Sequence, residues 1–290
     1  MAQGAGGVQP PPTPLWSPES RGHVTLLRDR VLAALVLILL FLGALILGGW
    51  VYFGLIALAL GLAALEFAAL MARAGFHPNT PLALALIALL LLDAELATPG
   101  VLRIGLTLAV LAGLAWHLIA YERGLTQTPV SDWALTLAIG LYLGWTGAHF
   151  LLLREQAGGL GWSIVGLGST ALADSGAYFA GRWFGRHPLA PRLSPGKTWE
   201  GYLAGLVVGG LGAPVLGAPF AIPPPLAIGL GALVALLTPL GDLGESMIKR
   251  QAGVKDSGDL IPGHGGVFDR IDSWLWGAVI SVYYLQWVLR

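Results

Sequence analysis

The apolar residues of this chain are gathered into nine stretches, 31–49, 51–71, 81–98, 101–120, 133–153, 162–181, 201–219, 224–243 and 273–289, each nearly free of charge. An α-helix rises about 1.5 Å per residue, so about 20 apolar residues cross a hydrocarbon core roughly 30 Å thick. The expected fold is therefore all-α, a polytopic integral membrane protein of about nine transmembrane helices. Composition agrees: 56% of residues are hydrophobic and 11% charged, where a soluble domain carries about 25% charged residues. Gly48-Gly49-Trp50 and Pro99-Gly100 interrupt what would otherwise be two overlong runs, and predict tight helical hairpins there. Trp50, Tyr52, Trp116, Tyr121, Trp133, Trp162, Trp199 and Trp287 fall near predicted span ends, as interfacial aromatics do.

Orientation follows from the basic residues. With the N-terminus cytoplasmic, thirteen of the sixteen Lys and Arg fall in cytoplasmic segments, and Arg103, Arg154 and Arg290 lie on the far side. The chain then divides into a Gly- and Pro-rich disordered cytoplasmic tail, 1–30, N-terminal transmembrane helices over 31–160, and a C-terminal transmembrane region, 161–290. A secretory signal peptide is the competing reading of 21–50, but the apolar run is long for one and no small-residue cleavage motif ends it. The formal net charge is zero and the chain has no cysteine, so nothing points to nucleic acid, and disulfides, thiolate metal sites and cysteine nucleophiles are excluded.

The clustered polarity sits in two predicted cytoplasmic loops, 182–200 and 244–272. In GDLGESMIKRQAGVKD (241–256), a helix continuing the eighth span would put Asp242, Glu245, Ser246 and Lys249 on one face. A solvated helix end is the plainer explanation of that stripe alone. The following loop holds Pro262, Gly263, Gly265 and Gly266, residues that permit a tight path whose amides approach an anion. Asp269 and Asp272 come next, one helical turn apart, and two acids held together call for a divalent cation, with hard oxygen ligands favouring Mg²⁺ over zinc. His264 has no second histidine at ligand spacing, so it is read as holding the loop or touching a phosphate. In the sixth span Asp174, Tyr178 and Arg182 share a face. RLSPGKTWEG (192–201) holds half of a P-loop pattern without the rest, which excludes a P-loop nucleotidase but leaves Lys197 suited to a phosphate. Glu66 and Asp93, acids with no local polar partner, are read as structural.

The pattern S-x2-K-R-x4-K-D-x-G-x2-L/I-P-x-H-G-G-x2-D-R-x-D runs from Ser246 to Asp272 as SMIKRQAGVKDSGDLIPGHGGVFDRID. It is similar to the signature of the phosphatidate cytidylyltransferase family, and the resemblance extends upstream through GDLGES, SPGKTWEG and ADSGAYFAGRWFG. Before that, only the multi-span character agrees. The resemblance implies synthesis of CDP-diacylglycerol from CTP and phosphatidic acid, with release of pyrophosphate and a requirement for Mg²⁺, one ion or two. It implies Asp242 and Asp269 as metal carboxylates with Asp272 and Glu245 nearby. It further implies Ser246, Lys249, Arg250, Lys255 and Lys197 as phosphate-holding residues, Asp256 beside them, and Asp174, Ser175, Tyr178 and Arg182 lining the same cavity. Ser194, His264, Gly265, Gly266 and Arg270 complete the implied substrate-binding set. The expected partners are the bilayer and the two substrates, with the site on the cytoplasmic face of a membrane, the inner one in a bacterium; a homodimer stays open. A CTP-dependent polyprenol or phytol-type lipid kinase is the nearest rival. A secondary transporter would put functional charge near the midplane and show internal repeats.

Overall fold

The computed structural model describes residues 27–96, 99–261 and 265–288. Helices α1 (Leu27–Leu47), α2 (Gly49–Arg73), α3 (Thr80–Leu96), α4 (Val101–Glu122), α5 (Pro129–Glu155) and α6 (Gly159–Phe184) occupy the first six predicted stretches. After a short antiparallel hairpin, β1 (Pro188–Ala190) and β2 (Ser194–Thr198), come α7 (Trp199–Gly217), α8 (Pro224–Leu237), α9 (Pro239–Gln251) and α10 (Phe268–Val288). Five helical segments among the described residues are long and apolar enough to cross a membrane: α2, α4, α5, α7 and the continuous α8–α9 rod. The predicted tail, 1–30, lies almost wholly outside the described residues, and α1 already begins at Leu27.

The expected turns are built as their residues require. Gly48, Gly49 and Gly100 hold φ of 66°, 50° and 83°, the left-handed region that only glycine adopts cheaply. Two of the predicted interfacial aromatics are instead core residues, Tyr52 at 1% exposure and Trp162 at 5%. Position near a helix end does not decide which way a ring points.

The core joins α2, α5 and α10 through Ile56, Phe67, Ile139, Leu143, Phe268 and Leu275. On the other side, α7 lies close against α6 because Gly201, Gly205 and Gly209 repeat at four-residue spacing. A Cβ at Gly201 would stand 2.6 Å from the Ala177 carbonyl oxygen, and one at Gly205 2.7 Å from that of Ala173. This close approach sets Asp174 and Tyr178 of α6 beside the start of α7 and the hairpin.

The segment 182–200, expected as a loop, is ordered by its own residues. Pro188 pairs with Thr198 and Ala190 with Ser194, while the Thr198 hydroxyl caps α7 by accepting from the Gly201 amide at 3.2 Å. Glu200 accepts from the amides of Arg186 and His187 at 3.1 and 3.2 Å, fastening the end of α6 to the start of α7. Of 244–272, only the middle is loop: α9 runs to Gln251 and α10 begins at Phe268.

Candidate active site

A cavity of about 580 Å³ opens among α6, the hairpin, α7, α9 and the start of α10. Pro239 cannot donate to the helix ladder, so it marks the joint between apolar α8 and polar α9. Past it, Asp242, Glu245, Ser246 and Lys249 repeat at i, i+3, i+4 and i+7 and all line the cavity, as the stripe predicted. Ser246 Oγ reaches Asp242 Oδ1 at 3.5 Å, and Lys249 Nζ donates to Glu245 Oε2 at 2.9 Å.

Three carboxylates converge here. Ligand oxygens of Asp242, Glu245 and Asp272 lie within 4.8 Å of one another. Glu245 and Asp272 are buried, and Glu245 Oε1 has no hydrogen-bond partner among the described residues. Three carboxylates this close repel one another when charged, and Lys197 and Lys249 each pair with only one of them, so a divalent cation among them would relieve the repulsion. All the donors are hard oxygens, the set that suits Mg²⁺ and not a thiolate-seeking metal. The residues therefore fit a bound divalent ion.

Asp269 stands outside that group, although the sequence suggests that it shares a metal with Asp242. Its Oδ1 accepts from Lys249 Nζ at 2.6 Å, and its Oδ2 accepts from the amides of Ser257 and Gly266, each at 2.8 Å. Burial alone would raise the Asp269 carboxyl, but its hydrogen-bonding surroundings, Glu245, Lys249 and the Gly266 and Ser257 amides, outweigh burial and hold it well below the usual carboxylate range. Helical spacing correctly puts Asp269 and Asp272 one turn apart. It does not reveal that the loop amides and Lys249 occupy the first while the second faces α9.

The basic residues divide in the same way. Lys197 Nζ pairs with Asp242 Oδ2 at 2.5 Å. Arg250, expected to hold a phosphate, donates to the carbonyls of Leu193 at 3.3 Å and Val254 at 2.7 Å, tying the hairpin to the end of α9. Arg182, Lys255 and Arg270 line the cavity and form no ion pair among the described residues. Asp174, Tyr178, Ser194 and Asp256 line it too.

Ser175 does not. It is exposed on an outward groove between α6 and α7, its hydroxyl donating back to the Ala171 carbonyl, because one helical position beyond Asp174 is about 100° around the axis. Gly266 serves the protein, since its amide is given to Asp269. Gly265 turns the chain with φ of 76°, and its carbonyl accepts from the Ile261 amide at 2.9 Å. His264 lies outside the described residues.

Sequence reasoning missed Glu66 and Ser257. Glu66 of α2 accepts from the Val267 amide at 2.9 Å, the Phe268 amide at 2.8 Å and the Ser257 hydroxyl at 2.9 Å. Its partners are mostly backbone groups far along the chain, which no pattern of side chains could announce. The signal that existed was the acid itself, within an apolar span.

Phosphatidate cytidylyltransferase of Mycobacterium bovis is 39% identical over 154 residues, covering 52% of this chain and 50% of that protein. The Pseudomonas aeruginosa phosphatidate cytidylyltransferase is 40% identical over 174 residues, 57% and 64% of the two chains. That of Synechocystis is 50% identical over 122 residues, 40% of each. The match to the mycobacterial relatives spans about half of their length. With these apolar helices and bacterial relatives, the chain is an integral membrane protein. The model of the cytidylyltransferase family matches residues 28–288, so the chain belongs to the cytidylyltransferase family.

Proposed function

We propose that this protein is a phosphatidate cytidylyltransferase, a nucleotidyltransferase that converts CTP and phosphatidic acid to CDP-diacylglycerol and pyrophosphate. One observation carries the reading: a single cavity combines the acidic trio of Asp242, Glu245 and Asp272 with Arg182, Lys255 and Arg270, cations that form no ion pair among the described residues. Two polyanions meeting at one place need that mixture of charge. The chain crosses the membrane nine times with its N-terminus in the cytoplasm, and the cavity opens on the cytoplasmic face, where CTP arrives from water and the lipid stays in the bilayer.

A phosphate oxygen of phosphatidic acid is anionic near neutral pH, so it attacks the α-phosphorus of CTP without a strong base. A new P–O bond forms, the bond to the β-phosphate oxygen breaks, and pyrophosphate leaves with the electron pair. The protein positions the two phosphates and offsets their repulsion. Asp242, Glu245 and Asp272 would hold Mg²⁺, which supplies charge neutralisation at the phosphate oxygens. Arg182 and Lys197 face the cavity from α6 and the hairpin, Lys255 and Arg270 from the loop and α10. Asp269 holds Lys249 in place, and Arg250 fixes the hairpin.

Membranes containing the protein should convert labelled CTP and phosphatidic acid to CDP-diacylglycerol in the presence of Mg²⁺. Transfer of the γ-phosphate to a lipid alcohol would replace this reading with the kinase, and movement of a solute without nucleotide turnover would replace it with a transporter.

A further inference from the structure

Glu66 lies in α2, a helix that contributes nothing else polar near the cavity, yet it reaches the segment that carries Asp269 and Asp272. Its two oxygens accept from consecutive amides, Val267 and Phe268, at the first turn of α10. A carboxylate there satisfies N–H groups that the helix cannot pair internally and complements the positive end of its dipole. The neighbouring residues close the grip: Phe67 stacks on Phe268 with ring centroids 5.4 Å apart and planes at 14°.

The loop is shaped around this carboxylate. A Cβ at Gly258 would lie 3.1 Å from Glu66 Oε1, and one at Gly266 2.3 Å from Oε2. Ser257 Oγ stands 2.9 Å from Glu66 Oε2 and 2.8 Å from Asp269 Oδ2. One hydroxyl proton serves one acceptor. Asp269 Oδ2 already receives two amides, so Glu66 has the greater need of it.

A chain of contacts follows: Glu66 holds the Val267 and Phe268 amides and Ser257, the adjoining Gly266 amide and Ser257 hold Asp269, and Asp269 holds Lys249, which reaches Glu245 in the acidic group. We infer that Glu66 is a positioning residue for nucleotidyl transfer, clamping the start of α10 so that Asp269 aligns Lys249 and Asp272 faces Asp242 and Glu245. The inference rests on the activity proposed above. It gives the N-terminal helices a role in catalysis that the clustered motifs do not suggest.

The test uses the full chain, purified in lipid nanodiscs, with wild type, Glu66→Gln and Glu66→Asp. Gln presents an NH2 group where two donors point, whereas Asp keeps the charge on a shorter arm. Glu66→Gln should lower kcat about tenfold to a hundredfold, the range seen when an orienting partner is lost, with CTP KM little changed because Arg182 and Lys197 are untouched. Glu66→Asp should recover part of that loss. Amide exchange should quicken at 266–268 in Glu66→Gln and stay as in wild type elsewhere. Wild-type kcat with wild-type exchange overturns the inference. So does a loss accompanied by faster exchange throughout α2 and α10 that Asp does not relieve, which would make Glu66 only a fold residue. Should Glu66→Gln not accumulate, Glu66→Asp decides alone, and wild-type kcat in it overturns the inference. If the wild type makes no CDP-diacylglycerol, the proposed activity fails instead, and the exchange measurement still decides the clamp.

Discussion

Lys197 Nζ stands 2.5 Å from Asp242 Oδ2, joining the β-hairpin to α9 across the cavity. The side chains are 27% and 32% exposed, so water screens the attraction and the pair contributes about 1 kcal/mol or less to stability. Its weight lies in the site, where it brings the Lys197 ammonium to the edge of three gathered carboxylates.

Lys197→Met should accordingly leave the fold intact, with a stability change of about 1 kcal/mol or less. The CTP KM should rise about tenfold or more, since a charge-assisted contact to phosphate is worth about 1.5–3 kcal/mol. Thermal melts beside steady-state kinetics check this. A large fall in melting temperature with an unaltered KM would mark the pair as structural.

Asp269 and Asp272, one turn apart in sequence, should fail in different ways. Asp269→Asn removes a charge partner from Lys249, whose side chain is 11% exposed. Because Lys249 keeps Glu245, the cost should be about 3 kcal/mol, the low end for breaking a buried pair, together with loss of turnover. Asp272→Asn removes one of three like charges, so stability should hold or rise. The Mg²⁺ concentration for half-maximal activity should increase about tenfold or more as a ligand charge is lost. Denaturant titration and Mg²⁺ titration separate the two variants, and identical behaviour would refute the division of labour.

Much of this was legible in the sequence because the signals are local. Apolar runs fix where helices lie, and i, i+3, i+4, i+7 spacing puts Asp242, Glu245, Ser246 and Lys249 on one face without knowledge of any other element. Ser175, placed in the cavity by the resemblance, faces away from it, because one position beyond Asp174 a helix has turned about 100°. The hairpin was hidden by Pro188, Pro191 and Pro195, which suggest turns more than strands. The partners of Asp269 and Glu66 are hidden for a shared reason: each is satisfied largely by backbone amides, and amides carry no sequence signature. Where a carboxylate is held by the main chain, only the folded path shows it.

Two glycines in the signature segments should respond oppositely to alanine. At Gly266 a Cβ would stand 2.1 Å from Ser257 Oγ and 2.3 Å from Glu66 Oε2, closer than any tolerated contact. Gly266→Ala should cost about 1–3 kcal/mol by overpacking and abolish turnover. At Gly196 a Cβ meets nothing within 4 Å among the described residues, so Gly196→Ala should change stability by about 0.5 kcal/mol or less. Comparable destabilisation by both would show that the packing around Glu66 is looser than the structure has it.

The proposed crossing of α6 can be tested with single cysteines, because the chain has none of its own. Arg192 is exposed at the hairpin tip and Ala157 is exposed at the turn between α5 and α6, so both sites admit a thiol reagent. Ser257 would be a poor choice for such a probe, being buried at 7% exposure and hydrogen-bonded to carboxylates. Helix α6 has 26 residues, about 39 Å at 1.5 Å per residue, enough to put its ends on opposite sides of a bilayer. In intact cells an impermeant maleimide should label Ala157→Cys from outside and Arg192→Cys only after the membrane is opened. Labelling of both from the same side would remove α6 from the proposed crossings. The reverse pattern would keep the crossing but turn the cavity to the far face, where CTP is absent, and the proposed reaction would lose its nucleotide supply.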